Sequence, residues 1–343
     1  MSATETGFTL LTFLRILLIA LIMIGVALFT LWGSLALWFH VPGPEIVRGI
    51  VAGAFGLLGL ATLIAQIWPG RLKMLAGFAT ALIAVSLWWQ SITPPHERDW
   101  APDDAVQVTG TIDGNTLTLD GVRNFDWRTE DDFTPNWERR SYDLSKLQSA
   151  DLVMSHWDGP SIAHMIVSFG FEGGEYLAWS AEVRHIKGSE FSPLRDAFKN
   201  HTLILLAGDE RDLIGLRTNI RGEDVQLYRI NASPANARAL LVDYVEHANA
   251  LAADPKWYNS LTTNCTTVVM SMIRQLFDAV PMDWRILVNG YLPEYAYDLG
   301  VLDRRLSFDQ LQDRAHISDT AREAGVTPTY STDIRQHVPD PLK

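Results

Sequence analysis

Cys265 is the single thiol of the chain, and it stands where a helix is predicted to begin. One thiol excludes an internal disulfide, and a thiolate metal site is not expected. The start of a helix carries a partial positive charge from its aligned peptide dipoles, which stabilises a thiolate and lowers the thiol pKa. Cys265 is therefore a candidate nucleophile. The alternative is a small buried hydrophobic side chain, as free cysteines often are.

The helix after this cysteine is strongly amphipathic. Its apolar side chains recur at helical spacing and form one face: Val268, Val269, Met272, Ile273, Leu276, Phe277 and Val280. Thr262, Thr263 and Asn264 are all acceptable N-cap residues, which places Cys265 in or beside the first turn. We predict that Asn264 and Thr266, on either side of the cysteine, take part in substrate binding.

A cysteine nucleophile needs a base, and histidine suits that role near neutral pH. His164 opens the apolar run Ala163–Phe171, where a merely solvating role is least expected. A histidine at the leading end of a strand can project over the edge of a cleft toward a helix N-terminus, so His164 is the predicted base. A hydrogen-bonded core histidine is the alternative, and His185 is a weaker candidate for the base.

The orienting group for this imidazole is expected on the adjacent strand, 175–184. Alternation along a strand puts Ser180, Glu182 and Arg184 on one side. Glu182 is the chemically best orienting group, although a surface salt bridge to Arg184 would also explain it. Ser180 and Arg184 are predicted to contact substrate.

A charge-dense segment runs from Gly208 through Asp212 and is followed by Arg217 and Arg221. Its arginines suit a lipid phosphate or a substrate carboxylate, but an internal ion-pair network is the stronger interpretation. The sequence contains no glycine-rich phosphate loop, no His-Glu-x-x-His helix and no nucleotide fingerprint. We therefore expect no cofactor and no metal.

Composition divides the chain near residue 95. The first 95 residues contain four basic and two acidic residues and three long apolar runs: 16–39, 46–68 and 72–89. Each run approaches or exceeds the ~20 residues that cross a bilayer. The sequence thus predicts a three-helix transmembrane anchor over 1–95 and an exported domain over 96–343. The first run is too long for a cleaved signal peptide.

The positive-inside rule orients this anchor. Arg71 and Lys73 lie in the short loop between the second and third runs, which should be cytoplasmic, and Arg15 favours a cytoplasmic N-terminus. Three crossings then place the large domain outside, on the side of the membrane opposite the cytoplasm. With a chain total of −12 and +2 in the anchor, the domain carries −14, which argues against nucleic acid as a partner.

The exported domain is predicted to be α+β. Strands are expected over 106–112, 116–119, 163–171, 175–183, 202–207, 213–218 and 225–230, forming an antiparallel sheet with packed helices. Residues 124–146 are expected to be irregular surface with one short helical stretch. Ser233-Pro234 predicts a helix start, and the last twenty residues are expected to be poorly ordered.

Together, these segments resemble the periplasmic domain of the Lnb family of bacterial lipoprotein N-acyltransferases. The resemblance covers about 123–320 and rests on Ala163-His164 with Ser168 to Phe171, Ser180 to Arg184, Gly208 to Asp212, Arg217 to Asn219, and Tyr258-Asn259 leading to Asn264 to Thr267. It implies a multi-pass protein of the bacterial inner membrane whose domain faces the periplasm. It implies a permuted papain-like, NlpC-type fold in which histidine precedes cysteine. In that family the membrane helices follow the domain, whereas three apolar runs precede it here.

The resemblance implies acyl transfer. Cys265 would attack the ester of a phospholipid or of a lipoprotein diacylglyceryl group, giving a thioester, and the N-terminal amine of a lipoprotein would accept the acyl chain. His164 would serve as base and then as acid. Two alternatives remain open: a cysteine hydrolase, either a lipid deacylase or a peptidoglycan amidase, and a non-catalytic module that binds an envelope partner.

Overall fold

The computed structural model describes residues 3–189, 192–260, 262–276 and 280–341. The chain forms two compact units, Met1–Thr93 and Pro94–Lys343.

The first unit is three apolar helices: α1 (Ala3–His40), α2 (Glu45–Ile64) and α3 (Arg71–Ser91). By length and composition, the spans Thr12–His40, Glu45–Ile67 and Arg71–Ser91 can each cross a membrane. Helices α1 and α2 pack closely at Gly59, because a Cβ there would lie 2.0 Å from the Thr30 hydroxyl oxygen. Small residues permit such close helix approach in a bilayer. The three predicted apolar helices are confirmed, and each is long enough to span a membrane.

The second unit is built on one mixed sheet. Its strands are β1 (Thr109–Asp113), β2 (Thr116–Arg123), β3 (Asp126–Trp127), β4 (Phe133–Thr134), β5 (Trp137–Asp143), β6 (Leu147–His156), β7 (His164–Phe171), β8 (Tyr176–Arg184), β9 (Thr202–Gly208) and β10 (Asp224–Arg229). Eight of them form a sheet in the order β1-β2-β9-β8-β7-β6-β10, with β5 also paired to β2. Every pair in it is antiparallel except β2 with β9, and β3 pairs with β4 separately.

Helices cover both faces of this sheet. They are α4 (Pro193–Asp196), α5 (Glu210–Leu213), α6 (Pro234–Ala253), α7 (Cys265–Leu276), α8 (Leu292–Asp298), α9 (Phe308–Ala315), α10 (Ser318–Ala324) and α11 (Tyr330–Asp333), with a π-helical segment at Leu216–Ile220. The α+β prediction is confirmed. The α6 start is also as predicted, because the Ser233 side chain caps it and Pro234 is its first residue.

Strand β7 shows how the two faces are filled. Met165 and Val167 point into the larger core with α6 and α7, whereas Ile166 points into the core beneath α5, α10 and α11. A strand buried on both sides needs apolar residues at successive positions, which explains the continuous apolar run of β7.

Three sequence predictions are wrong. Residues 213–218 are helical, since a short apolar run cannot be told from a buried helix by periodicity alone. Residues 124–146, expected to be irregular, supply β3, β4 and β5; polar side chains on exposed strands hide the alternation. The C-terminus is packed, with Tyr330 and Ile334 buried. In addition, strand β6, which lies between β7 and the edge strand β10, was not predicted.

Candidate active site

The start of α7 is fixed by a reciprocal cap. The Asn264 side-chain oxygen accepts from the Thr267 backbone N–H at 2.9 Å, and the Thr267 hydroxyl accepts from the Asn264 N–H at 2.9 Å. Asn264 also donates its side-chain amide to the Ser260 carbonyl at 2.7 Å. The amide of Asn264, predicted to bind substrate, is therefore engaged in holding the turn. Cys265 is the first helical residue, half-buried against the larger core.

The apolar face of α7 is described in part. Val269 is buried and Val268 packs against the larger core. Phe277, which the periodicity places on the same face, lies outside the described residues, as do the side chains of Met272, Ile273 and Leu276.

His164 is the first residue of β7 and is buried. Its Nε2 lies 2.6 Å from the Ser180 hydroxyl oxygen and 3.0 Å from Glu182 Oε1. The strand register produces this meeting: β7 and β8 are antiparallel with Ile166 opposite Ser180, so two residues further along each strand His164 comes level with Glu182.

The hydrogen bonds assign the imidazole proton. Ser180 donates its one hydroxyl hydrogen to Glu182 Oε1 at 2.6 Å, so its oxygen accepts from His164. That arrangement puts a proton on Nε2 and leaves Nδ1 as the nitrogen that exchanges a proton with another group. Ser180, predicted to contact substrate, is placed instead between the histidine and the carboxylate.

Burial alone would raise the pKa of the Cys265 thiol. The hydrogen bond and charge of His164 outweigh burial and, with the Met165 backbone N–H and the Thr266 hydroxyl, lower that pKa below its usual value. His164 is therefore close enough to lower the pKa of the Cys265 thiol, which favours a thiolate.

His164 itself is balanced between opposing groups. Burial and the positive charge of Arg217 lower the pKa of the imidazole, but the charge of Glu182 and the hydrogen bonds with Cys265 and Glu182 raise it above the ordinary value. Burial would raise the pKa of Glu182, yet the charges of His164 and Arg217 hold it well below its usual range. The site thus favours an imidazolium beside an ionised carboxylate.

Arg217 lies in the π-helical segment and is buried. Its Nη2 donates to Glu182 Oε1 at 2.9 Å, and its Nη1 lies 3.4 Å from Glu223 Oε2. The charge-dense segment that contains Arg217 was assigned to an ion-pair network, and Arg217 does pair with carboxylates. Its contact with the partner of His164 was not predicted, because nothing in the sequence spacing relates residues 182 and 217.

Asn289 is a second residue that the sequence did not reveal. Its side chain accepts from the Ala163 N–H at 3.0 Å and donates to the Ala163 carbonyl at 2.6 Å. It also donates to the Thr266 hydroxyl at 2.7 Å. Asn289 therefore ties the residue before His164 to the residue after Cys265. Thr266, predicted to bind substrate, is buried in this bridge.

Arg184 and His185 both contact the segment 100–105, although His185 also lines the same cleft as His164. Arg184 donates to the carbonyls of Asp104 and Ala105 at 3.0 and 2.6 Å and lies over the Trp100 ring at 4.3 Å. His185 Nδ1 is 2.8 Å from Asp104 Oδ2. The guanidinium of Arg184, predicted to contact substrate, instead binds the backbone of the segment that enters the domain. The imidazole of His185 is paired with Asp104.

Two cavities flank the site. A cleft of about 940 Å³ is lined by polar side chains that include His156, His164, Glu182, Arg217 and Tyr258. A second, apolar cavity of about 350 Å³ is lined by Met165, Val167, Val269, Met270, Leu292 and Tyr295, among others. Within the described ranges no group of three or more His, Cys, Asp or Glu side chains is arranged to hold a metal ion.

No curated protein and no solved structure matches the chain. Residues 133–290, which include His164, Glu182, Arg217, Cys265 and Asn289, match the family described as the Lnb N-terminal periplasmic domain. With three apolar helices ahead of this domain, the chain is a membrane protein with a periplasmic domain. Over these residues the chain is similar to the Lnb family.

Proposed function

We propose that the protein is a cysteine acyltransferase of the bacterial inner membrane. It moves an acyl chain from a phospholipid or a lipoprotein diacylglyceryl group to the N-terminal amine of a lipoprotein. The observation that carries the proposal is the Cys265–His164–Glu182 network at the start of α7, in which the thiol pKa is lowered. A thiolate is the form of cysteine that attacks an ester carbonyl.

The first half-reaction forms a thioester. Cys265 Sγ attacks the ester carbonyl carbon, and the protonated His164 gives its proton to the glycerol oxygen as the carbon–oxygen bond breaks. The Cys265 backbone N–H, at the positive end of α7, is suited to stabilise the oxyanion.

The second half-reaction regenerates the thiolate. The lipoprotein amine attacks the thioester carbon, neutral His164 takes the proton that the amine loses, and Cys265 leaves as thiolate beside the imidazolium. Glu182 and Ser180 hold the imidazole so that the same nitrogen serves both steps.

The apolar cavity favours a lipid substrate over peptidoglycan. Val269 follows Cys265 by four residues, about one helical turn or ~6 Å along α7, and Met165, whose N–H contacts the thiol, is part of the same lining. Burying an acyl chain in this cavity would remove apolar surface from water, which is favourable. A polar sugar–peptide polymer would obtain no such stabilisation from an apolar lining.

Hydrolysis is the second candidate, because the polar cleft beside His164 gives water a route to the thioester. Transfer and hydrolysis share the acyl-enzyme and differ in what attacks it. The third alternative, a binding module without catalysis, predicts no acyl-enzyme at all.

The test is intact-protein mass spectrometry of the full chain in detergent micelles after incubation with phospholipid. We expect a hydroxylamine-labile acyl adduct on the wild type and none on Cys265→Ala or His164→Ala. His316→Ala is the matched control, because His316 pairs with Asp224 at 2.8 Å on the surface, and it should retain the adduct. Addition of a diacylglyceryl peptide with a free N-terminus then separates transfer from hydrolysis. An unmodified, unreactive Cys265 would refute both enzyme proposals.

A further inference from the structure

Two loops beside the polar cleft expose large apolar side chains. In the loop between β6 and β7, Trp157 is 55% exposed and Ile162 is 56% exposed; in the segment before α8, Trp284 is 58% exposed and Leu287 is 72% exposed. We call these four residues the apolar rim. Large apolar side chains that are exposed on neighbouring loops indicate an interaction surface.

The two loops are joined directly. The Gly290 N–H donates to the Ser161 carbonyl at 3.0 Å, and a Cβ at Gly290 would lie 1.9 Å from the Pro160 carbonyl oxygen. Only glycine permits this approach. The four rim residues therefore belong to one structural feature, which Asn289 also ties to Thr266 beside the nucleophile.

The rim adjoins the entrance to the candidate site. Trp157, Pro160, Gly290 and Tyr291 line the same polar cleft as His164, and the Trp284 ring contacts the Tyr291 ring with centroids 5.5 Å apart. Whatever covers the rim is thus placed at the mouth of the cleft.

Charge and chain length indicate what covers it. The rim loops carry Asp158, Asp283 and Arg285, and the last two pair with each other at 3.0 Å, so the rim is nearly neutral on a strongly acidic domain. Only residues 92–99 separate the end of α3 from Trp100. Eight residues span at most about 30 Å, which keeps the domain close to the bilayer, where tryptophan is the favoured interfacial residue.

We propose that the apolar rim inserts into the periplasmic leaflet and brings the cleft mouth to lipid esters at the membrane surface. The partner is the neutral, interfacial part of the bilayer, and insertion depends on apolar burial rather than on attraction to anionic headgroups. This inference extends the proposed function by naming where the acyl donor is met, but insertion itself requires no catalysis.

The test places a fluorophore on the full chain in proteoliposomes of phosphatidylethanolamine and phosphatidylglycerol. In the Cys265→Ala chain, Trp157→Cys and Trp284→Cys are each labelled. Lipids with a nitroxide near the headgroup should quench both labels, and iodide in the buffer should not. Val326→Cys is the matched control, since Val326 is also an exposed apolar residue but lies beside Gly215, away from the rim loops. Its label should be quenched by iodide and not by the nitroxide lipids. Rim labels that behave like the Val326 label would overturn the proposal.

A second variant tests whether insertion matters for lipid access. Leu287→Asn should slow acylation of Cys265 by bilayer lipid about tenfold, the effect of losing one buried leucine side chain. Its rate of alkylation by iodoacetamide should stay at the wild-type value, because that reagent is soluble. Unchanged lipid acylation would contradict the proposal. Quenching of the rim labels without any acyl adduct on Cys265 would support membrane insertion and refute the acyltransferase proposal. An adduct without quenching would support the acyltransferase proposal and refute membrane insertion.

Discussion

Arg217 and Glu182 form a 2.9 Å ion pair on the same carboxylate oxygen that lies 3.0 Å from His164 Nε2. One guanidinium therefore does two opposed things. It keeps Glu182 ionised, which supports a protonated His164, and its own positive charge disfavours that protonation. The balance sets the charge of the imidazole that faces Cys265.

We expect Glu182→Gln to make Cys265 less reactive at neutral pH. The neutral amide removes the charge that raises the pKa of His164, so the imidazolium is lost at lower pH and the thiol pKa rises. Each unit of that rise costs about tenfold in thiolate at a pH below both values. The measurement is the pH profile of alkylation by iodoacetamide. Glu294→Gln, on an exposed glutamate 3.9 Å from Arg285, should leave the pH profile of alkylation unchanged. The same shift of the profile in both variants would refute the prediction.

Glu182 should also make stability depend on pH on the acid side. Its pKa in the folded domain is held below the usual value, so its stabilisation is complete above about pH 4.3 and is lost as the pH falls through the folded-state pKa. His164 behaves oppositely: its raised pKa gives stabilisation that is complete below about pH 6.5 and lost as the pH rises through the folded-state value. Urea titrations of wild type and Glu182→Gln should differ least in strong acid. A constant difference at every pH would contradict this.

Arg217→Met should destabilise the periplasmic domain by about 3–5 kcal/mol, because Glu182 and Glu223 would lose the buried guanidinium that pairs with both of them. In the molecules that remain folded, the pKa of His164 should rise, since a repelling charge is gone. Urea unfolding followed by tryptophan fluorescence measures the first effect, and NMR titration of the imidazole measures the second.

The control for Arg217→Met is Arg139→Met, which removes an exposed pair with Asp120 at 3.4 Å and should change stability by less than about 1 kcal/mol. Equal losses in the two variants would show that burial of the Arg217 pairs is unimportant. A lowered imidazole pKa in Arg217→Met would contradict the assigned role of its charge.

Arg335→Met should destabilise the domain by about 3–5 kcal/mol, although Arg335 lies only eight residues from the C-terminus. Arg335 is 2.7 Å from Asp151, pairs with Glu210, and lies over the Tyr176 ring at 3.7 Å. Arg322→Met, which removes an exposed pair with Asp319, is the matched control for the same unfolding measurement. An unchanged Arg335→Met unfolding midpoint would mean that the C-terminal segment contributes nothing.

Asn289→Ala should slow acylation of Cys265 and lower the free energy of unfolding by about 1–3 kcal/mol. The reason is that the Ala163 backbone and the Thr266 hydroxyl lose a buried hydrogen-bond partner. Single-turnover acylation and urea unfolding provide the two readouts. Asn115→Ala, on the exposed β1–β2 turn, should affect neither. Wild-type acylation in Asn289→Ala would show that the bridge does not position the site.

Short-range sequence patterns were enough to predict the two elements that position His164 and Cys265. The strand that begins at His164 and the helix that begins at Cys265 are both present. Apolar periodicity and capping residues act over a few positions, so they can be read directly from the chain. The three membrane spans follow for the same reason, since hydropathy over some twenty residues is a local property.

Alternation along β8 predicted which of its side chains share a side, but not what each side chain contacts. The sequence placed Ser180, Glu182 and Arg184 on one side of β8, and Ser180 and Glu182 do reach the same imidazole. Arg184 instead binds backbone carbonyls near Trp100, because which face of a sheet receives a particular loop is decided by the order of the strands. The catalytic roles of Cys265, His164 and Glu182 remain predictions until the experiments above are made.

The sequence alone thus determined the membrane spans, the α+β class, the family resemblance, and the two element starts that carry His164 and Cys265. Only the tertiary structure decided that Arg217 holds Glu182, that Asn289 joins Ala163 to Thr266, and that Arg335 reaches Asp151. These contacts cross 35, 126 and 184 positions of the chain. Short-range periodicity cannot predict contacts between residues so far apart in the chain. Strand order and the burial of paired charges determine these contacts, and the partners meet only when the sheet has formed.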